Sequence, residues 1–533
     1  MTERRALWIL VATTALLRLF LAASLGPSND EAYYALFAVH RDWSYFDQPP
    51  MVALVESIGM VLGDVGTSPF PLRLGFIALF AGSTLVMARL GARCYGARVG
   101  LLAALALNVT GYFSVVAGTF ALPDGPLVFF WLLTLDRLSA ALASPSRSSL
   151  WVGVGLAWGG ALLSKYHAVF LPAGALMFLL FEPSARHWLR RPGPYLAVAI
   201  GLFCFAPVIC WNATHGWASF AFQGGRALGS FAFRPAAFAA TIGGQAAYLL
   251  PWIWVAALAT AVRRLGRWSA GTSESDRFLL CQAVLPLLVF TALSCVRPVL
   301  PHWSLEGFLS LLPLLAQDWD RRLMTAPGRM KRRLIILATL PVVLSWVAVE
   351  ETRSGFLQKG GHSTLGLITP RNDPTLDLFG WDQVARGMEQ RGLIGQPDTF
   401  LFTGNWYHSG QLAFATRHAM AVLCYHSYDA RGFAFWSAPS QWIGCDGILV
   451  TLDNRSVEPH CFDRWFARIE PIGEIPIIRA GVPVHRARLF RCVRQLKAFP
   501  YDRVVPPDLR RQLAKATPWA RWQPDTHESG RMR

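Results

Sequence analysis

From Ala6 to about Val349 the chain alternates between apolar runs close to twenty residues long and short polar connections. Neither the 3.6-residue nor the 2-residue alternation of an element half turned to water produces that pattern; membrane spans do. Runs that cross or nearly cross a hydrocarbon core of about 30 Å fall at about 6–24, 71–90, 99–118, 125–143, 151–164, 167–181, 195–211, 241–262, 278–296, 304–317 and 334–349. The pattern predicts about eleven transmembrane helices. Residues 151–181 are too few for two full spans, being about 46 Å as one helix. They are read as two short helices meeting at Ser164-Lys165-Tyr166-His167, with a single tilted helix as the alternative. The first run is not read as a cleaved signal, because no small-residue cleavage site precedes a soluble domain and another span follows. Beyond 350 the long runs stop. Gly447-Ile448-Leu449-Val450-Thr451-Leu452 and Ile475-Pro476-Ile477-Ile478 look like short strands, so 351–505 is expected to be a soluble α/β domain and 506–533 a loosely ordered tail.

Composition agrees with that picture: 53% of residues are apolar and 16% charged, against about a quarter charged in soluble domains. A net charge of +17 would suggest nucleic acid in a soluble protein. Here the cations lie in the connections, twenty on one side and five on the other (Arg41, Lys165, Arg226, Arg234 and Arg297). The positive-inside rule makes the rich side cytoplasmic. The reading is a multi-pass inner (plasma) membrane protein with a cytoplasmic N-terminus, a domain after 350 outside, membrane lipids as surroundings and no nucleic-acid partner. Four of the nine cysteines (Cys424, Cys445, Cys461, Cys492) then lie in an oxidising compartment, where at least one disulfide is expected.

The long outer connection, 25–70, carries Ser28-Asn29-Asp30-Glu31 ahead of an amphipathic helix. Ser28 and Glu31 have capping-box spacing, which gives Glu31 a structural reason; Asp30 has none and is free to face a cleft. Asp124, in Leu122-Pro123-Asp124-Gly125-Pro126-Leu127, is equally readable as a helix N-cap. Lys165 interrupts an apolar stretch, where an ionisable group costs about 2.5–3.5 kcal/mol on insertion scales unless paired or hydrated; snorkelling is its bland explanation. Arg73 either pairs with a first-loop acid or anchors its span. Arg297 and His302, near Trp303, fit interface anchors as well as ligands. The topology brings these groups to one membrane face, with Asp47, His167 and Glu306. Carboxylates and cations gathered there suit a reaction that expels a lipid phosphate: one acid takes the acceptor's proton and cations neutralise the leaving group. No Walker A loop, strand-linked GxGxxG, HExxH or GxSxG is present, so ATPase, dehydrogenase, zinc-protease and serine-hydrolase readings lack support.

Several separated segments resemble the polytopic GT-C glycosyltransferases, specifically bacterial relatives of the protein O-mannosyltransferases and of the lipid A aminoarabinose transferase. They are Asp30-Glu31-Ala32-Tyr33-Tyr34, Tyr45-Phe46-Asp47-Gln48-Pro49-Pro50, Leu122 to Leu127, Leu163-Ser164-Lys165-Tyr166, Trp211-Asn212 with His215 to Phe220, and Pro301-His302-Trp303. The resemblance covers roughly 10–450, and the order of the motifs is more specific than any one of them. It implies an all-α GT-C membrane domain over 1–350 and an inverting transfer from a polyprenyl-phosphate sugar to an envelope acceptor. The acceptor could be lipid A or core, another lipid, a protein or a polymer. Carried onto this chain, it implies Asp30 as catalytic base with Glu31 and Asp124 as further catalytic acids, and Lys165, Tyr33, Asp47, Arg73, Arg297 and His302 as substrate contacts. Ser304-Leu305-Glu306 departs from the small residues and Pro expected after Pro301-His302-Trp303. Some members bind a divalent metal near this site; no convincing ligand cluster stands in this sequence, and metal is left open. The rival function is a transporter or flippase. It would be favoured by an inverted repeat with interrupted helices, and none is visible. Retention of Asp30, Asp124 and Lys165 argues against an inactive scaffold.

Overall fold

A computed structural model of the chain describes all residues except 1, 62–67, 145–146, 228–231, 269–270, 359–365, 370–372, 454–456 and 502–533; the tail expected from 506 lies outside the described residues. The membrane part comprises α1 (Glu3–Ser24), α2 (Asn29–Val39), α3 (Met51–Met60), α4 (Phe70–Tyr95), α5 (Ala97–Val109), α6 (Asp124–Leu142), α7 (Ser149–Ser164), α8 (Phe170–Phe181), α9 (Pro192–Thr214), α10 (Ala218–Ala227), α11 (Pro235–Leu249), α12 (Pro251–Leu265), α13 (Glu274–Ser294), α14 (Leu305–Thr325) and α15 (Pro327–Ser354). Among the described residues, six helices are long and apolar enough to cross a membrane, or eight if each bent pair counts as one span. This is a multi-pass membrane protein.

Three runs shape the site, and two of them differ from the sequence expectation. The 151–181 segment does break where expected: α7 ends at Ser164, Lys165 is extended, and a short helical turn at Tyr166–Val169 leads into α8. The run at 241–262 is not one straight helix. Pro251 starts a new helix, Leu250 takes a φ of 70°, and α11 and α12 meet at 104°. Proline at the first helical position needs no donor of its own and suits such a restart. The run at 99–118 is broken at Thr110 and continues as a π-helical turn, Tyr112–Ala117, a form frequent at functional sites.

The cation-rich ends of the helices are tied by ion pairs: Arg89 and Arg93 to Asp136, Arg98 to Asp320, Arg263 and Arg264 to Asp318, Arg264 to Asp276, and Arg277 to Glu182. The opposite end carries the second unit. There β1 (Thr399–Thr403), β2 (Val422–Cys424), β3 (Asp446–Leu452), β4 (Phe466–Arg479) and β5 (Val482–Gln495) form one sheet in the order β2-β1-β3-β5-β4. The first three strands run parallel and the β4–β5 hairpin antiparallel. The hairpin closes through Ala480 and Gly481, both at positive φ, as a two-residue primed turn requires. Helices α16 (Trp381–Glu389), α17 (Trp406–Ala415) and α18 (Phe433–Trp436) flank the sheet.

The disulfide expectation is corrected: among the described residues no disulfide joins Cys424, Cys445, Cys461 or Cys492. Cys424 is on β2 and Cys492 on β5, three strand intervals away. At about 4.8 Å per interval that is roughly 14 Å, twice the reach of a disulfide's Cα atoms.

The sheet unit and the first outer loop share one apolar core. Tyr33, Tyr34 and Phe37 of α2 pack with Phe402, Phe414, Phe433 and Phe435, and the Tyr33 ring lies 5.1 Å from Trp406 and 5.6 Å from Trp436. Helices α2 and α17 approach so closely that a Cβ on Gly410 would lie 2.9 Å from the Tyr33 Cα. A second tie is ionic: Arg479 reaches Asp373 at 2.5 Å and Glu351, in the last turn of α15, at 3.6 Å.

The start of α2 is fixed by a saturated ion pair. The Ser28–Glu31 capping box forms as expected. Glu31 Oε1 accepts from Arg73 Nε (2.8 Å) and Ala121 N (2.9 Å), and Oε2 from the Arg73 guanidinium (2.7 Å) and Ser28 N (2.9 Å). Arg73 gives its remaining donors to the carbonyls of Ala22, Leu25 and Gly26. Removing one partner of such a pair strands the other, at about 3–5 kcal/mol. Arg73→Ala should therefore lower the thermal stability of the purified protein strongly, and the double replacement Arg73→Met, Glu31→Leu should recover part of the loss. Equal stability of Arg73→Ala and wild type in a detergent-solubilised melting experiment would refute the anchoring role.

Candidate active site

Asp30 sits one residue before that anchor, on the first turn of α2. Among the described residues it makes no hydrogen bond. Its side chain is exposed, although protein atoms lie densely around it. Loss of solvent raises its carboxyl above the ordinary carboxylate value; Arg431 pulls it back down, while Asp47, Asp124 and Glu31 push it up.

Asp47, only 2% exposed, is held between two groups. Tyr33 donates its hydroxyl to Oδ1 at 2.9 Å, and Arg431 pairs with Oδ2 at 3.2 Å. The Tyr33 hydroxyl in turn accepts from Gly432 N at 3.0 Å. Arg431 comes from the sheet unit, and its guanidinium lies flat over the Trp406 ring, 3.5 Å from the centroid. It is therefore a cation fixed in place beside the first-loop acids. Sequence reasoning missed it: Arg431 follows Tyr428-Asp429-Ala430 in a loop with no periodicity, about 400 residues from its partners.

Asp124 is the first residue of α6 and makes no capping bond. The N-cap expectation is thereby corrected, and its carboxylate goes elsewhere. Oδ1 accepts from Lys165 Nζ at 2.9 Å and from the Tyr112 hydroxyl at 2.7 Å. Tyr112, on the π-helical turn, is a second contact that the sequence did not reveal, being one aromatic in an apolar run. Lys165 does not snorkel. It is buried, held where the break between α7 and α8 turns its backbone extended, and an ammonium has two more donors to offer. His302, on the turn Pro301–Ser304, stacks on Tyr112 at 5.5 Å and lies within electrostatic reach of Asp124.

Thus the fold gathers Asp30, Asp47, Asp124, Lys165, Tyr33 and His302 into one region with Arg431 and Tyr112. It does not leave Glu31 or Arg73 available, since each is enclosed and all their acceptors and donors are taken. Arg297 lies half-buried after α13, and its side chain forms no ion pair among the described residues. The metal that the resemblance associates with this site finds no cage: among the described residues no three His, Cys, Asp or Glu side chains gather to hold an ion, and Asp47 and Asp124 are already neutralised by Arg431 and Lys165. No chemical step is derived through a metal.

Comparison with known proteins gives the same picture. Residues 47–211 match the family model described as dolichyl-phosphate-mannose-protein mannosyltransferase, a stretch that includes Asp47, Asp124 and Lys165. The lipid A galacturonosyltransferase RgtD of Rhizobium johnstonii is 27% identical over 188 residues, 35% of this chain and 38% of the relative's length. The lipopolysaccharide core galacturonosyltransferase RgtA of the same organism is 27% identical over 411 residues, 72% of this chain and 76% of the relative. The crystal structure of ArnT from Cupriavidus metallidurans bound to undecaprenyl phosphate superposes with a TM-score of 0.60 at 16% identity, covering 91% of this chain and 97% of that one; at that identity the likeness is one of fold. The chain thus shares the fold of the ArnT structure, and parts of its sequence are similar to a mannosyltransferase family model and to two galacturonosyltransferases.

Proposed function

We propose that this protein transfers a sugar from a polyprenyl-phosphate carrier to an envelope acceptor on the outer face of the inner membrane, inverting the anomeric carbon, with Asp30 as general base. The observation that carries the reading is the one unengaged carboxylate in the site, Asp30, set beside the Lys165–Asp124 and Arg431–Asp47 pairs. An acceptor hydroxyl oxygen attacks the anomeric carbon and gives its proton to Asp30. The bond to the phosphate oxygen breaks with its electron pair, and the second negative charge formed on the phosphate is met by Lys165, which Asp124 and Tyr112 hold in position. Arg431 serves the base indirectly by favouring its ionised form. Glu31 and Arg73 act as structure. The two galacturonosyltransferase relatives favour a hexuronate as the sugar and lipid A or core as the acceptor. The chain's cations favour eleven crossings, a cytoplasmic N-terminus and a periplasmic sheet unit.

General-base assistance is typically worth about 10²–10⁴-fold. Asp30→Asn should lose turnover by that order while donor binding persists, as read by transfer in proteoliposomes at equal folded amount. A dead Asp124→Asn beside a near-normal Asp30→Asn would mean the base is misassigned. Because a base works only deprotonated and burial raises this carboxyl, activity should fall with decreasing pH at a value above the roughly 3.9 of an unperturbed aspartate. An acid limb unchanged by moving or removing Asp30 would count against it.

Lys165→Ala should weaken binding of undecaprenyl phosphate, and Arg at this position should keep charge but lose geometry. Unchanged affinity in the alanine variant would remove Lys165 from the phosphate site. For topology, a reporter fused after Arg353 should be active only in its periplasmic form; cytoplasmic activity there would place the acids in the wrong compartment.

A further inference from the structure

Among the polar groups inside the bundle, one pair has no part in the chemistry above. His167 lies two residues beyond Lys165, on the turn Tyr166–Val169, and its Nδ1 is 3.1 Å from Glu306 Oε1. Phe290 and Trp303 hold the ring, with centroids at 4.8 and 5.8 Å. Glu306 is 3% exposed, and among the described residues its Oε2 has no hydrogen-bond partner. As glue between α14 and the α7–α8 break this pair is poor: desolvating two charges costs about what their attraction returns, and a half-satisfied carboxylate does worse than an apolar contact.

Its surroundings give it a use. Tyr112, which donates to Asp124, lies within electrostatic reach of Glu306 as well, so the pairs Lys165–Asp124 and His167–Glu306 share one tyrosine. With Nδ1 turned to Glu306, the Nε2 edge of His167 faces away from the carboxylate, and the side chain keeps 16% of its surface exposed. An ionised Glu306 accepts from Nδ1–H, so Nε2 carries a proton when the ring is an imidazolium.

We propose that His167, as an imidazolium, is a second contact for the phosphate of the lipid carrier, through Nε2–H, and that Glu306, accepting from Nδ1–H, is the positioning residue that fixes its ring plane. The inference rests on the polyprenyl-phosphate reading above. As the sugar–oxygen bond breaks, the phosphate gains a charge that Lys165, already sharing one donor with Asp124, meets from one side and His167 from another. The proton stays on the imidazole, and the electron pair stays on the phosphate oxygen. Among the described residues the charged group in contact with His167 is Glu306 from α14, and Phe290 and Trp303 pack on the ring without charge.

The test is binding of undecaprenyl phosphate, with undecaprenol as control, to the full-length protein in nanodiscs between pH 5.5 and 8. A charge-assisted hydrogen bond corresponds to about a ten- to hundredfold change in affinity. His167→Ala should lose that much near pH 6 and bind with a flatter pH dependence. Glu306→Gln should weaken binding in folded protein, because an anionic acceptor no longer holds the ring in place. His167→Lys should restore phosphate preference without the titration. If His167→Ala is poorly folded, His167→Asn, whose amide can still reach Glu306, should show the same loss in folded protein. Wild-type affinity and pH dependence in His167→Ala or His167→Asn, alongside weakened binding in Lys165→Ala, would overturn the inference and leave the carrier reading standing. Wild-type protein that does not prefer the phosphate over the alcohol would overturn both.

Discussion

The geometry of this site depends on the Arg73–Glu31 pair. A guanidinium has five N–H donors, and all five are used: two on one carboxylate and three on carbonyls of the chain leaving α1. The carboxylate also holds the N-terminus of α2 and the backbone at Ala121, three residues before Asp124. One buried ion pair thus sets the position of α4, the first-loop helix and the segment entering α6 relative to one another. Asp30 is adjacent to it on α2, so its own side chain need not hold anything. A reactive group can be left free when its neighbour in sequence carries the structural load.

The sheet unit completes the site rather than merely following the bundle. Its Phe402, Phe433 and Phe435 belong to the same core as Tyr33 and Phe37 of the first loop, and Arg431 enters from it to meet Asp47. An arginine over an indole keeps its charge while its faces are desolvated, which suits a cation that must remain ionised among several acids. The anchor at Arg479, Asp373 and Glu351 ties the same unit to the end of α15. Two attachments far apart in sequence restrict how the unit can tilt, and with it the distance from Arg431 to the acids.

Local signals were legible in the sequence, and long-range ones were not. Ser28 and Glu31 are three residues apart, so their capping box could be read directly. The break at Lys165 followed from length alone, and β3 from its run of β-branched residues. The 241–262 run was read across Pro251 because hydropathy does not register a backbone turned to positive φ at Leu250, although the proline itself was a visible warning. Asp124 looked like an N-cap because spacing cannot show that Lys165 and Tyr112 compete for its oxygens. Arg431 left no signal, since nothing near it in sequence announces partners in the first loop. The disulfide inference failed because an even cysteine count says nothing about strand order.

The balance of charges explains why Asp30, and no other acid nearby, is suited to take a proton. Glu31 is answered by Arg73, Asp47 by Arg431, Asp124 by Lys165 and Glu306 by His167. An acid with a dedicated cation is stabilised as a carboxylate and is a weak base. Glu56, in α3, also lacks a partner, and neither of its oxygens is hydrogen-bonded among the described residues. It is fully enclosed beside Glu31, burial pushes its carboxyl well above the ordinary range, and it has no exposed face for a substrate to reach. Asp30 lies between these limits. Burial raises it and Arg431 restrains the rise, leaving a carboxyl more basic than a solvated one. Brønsted behaviour rewards that intermediate basicity in a proton acceptor, and the exposed face of Asp30 gives an acceptor hydroxyl a way to reach it.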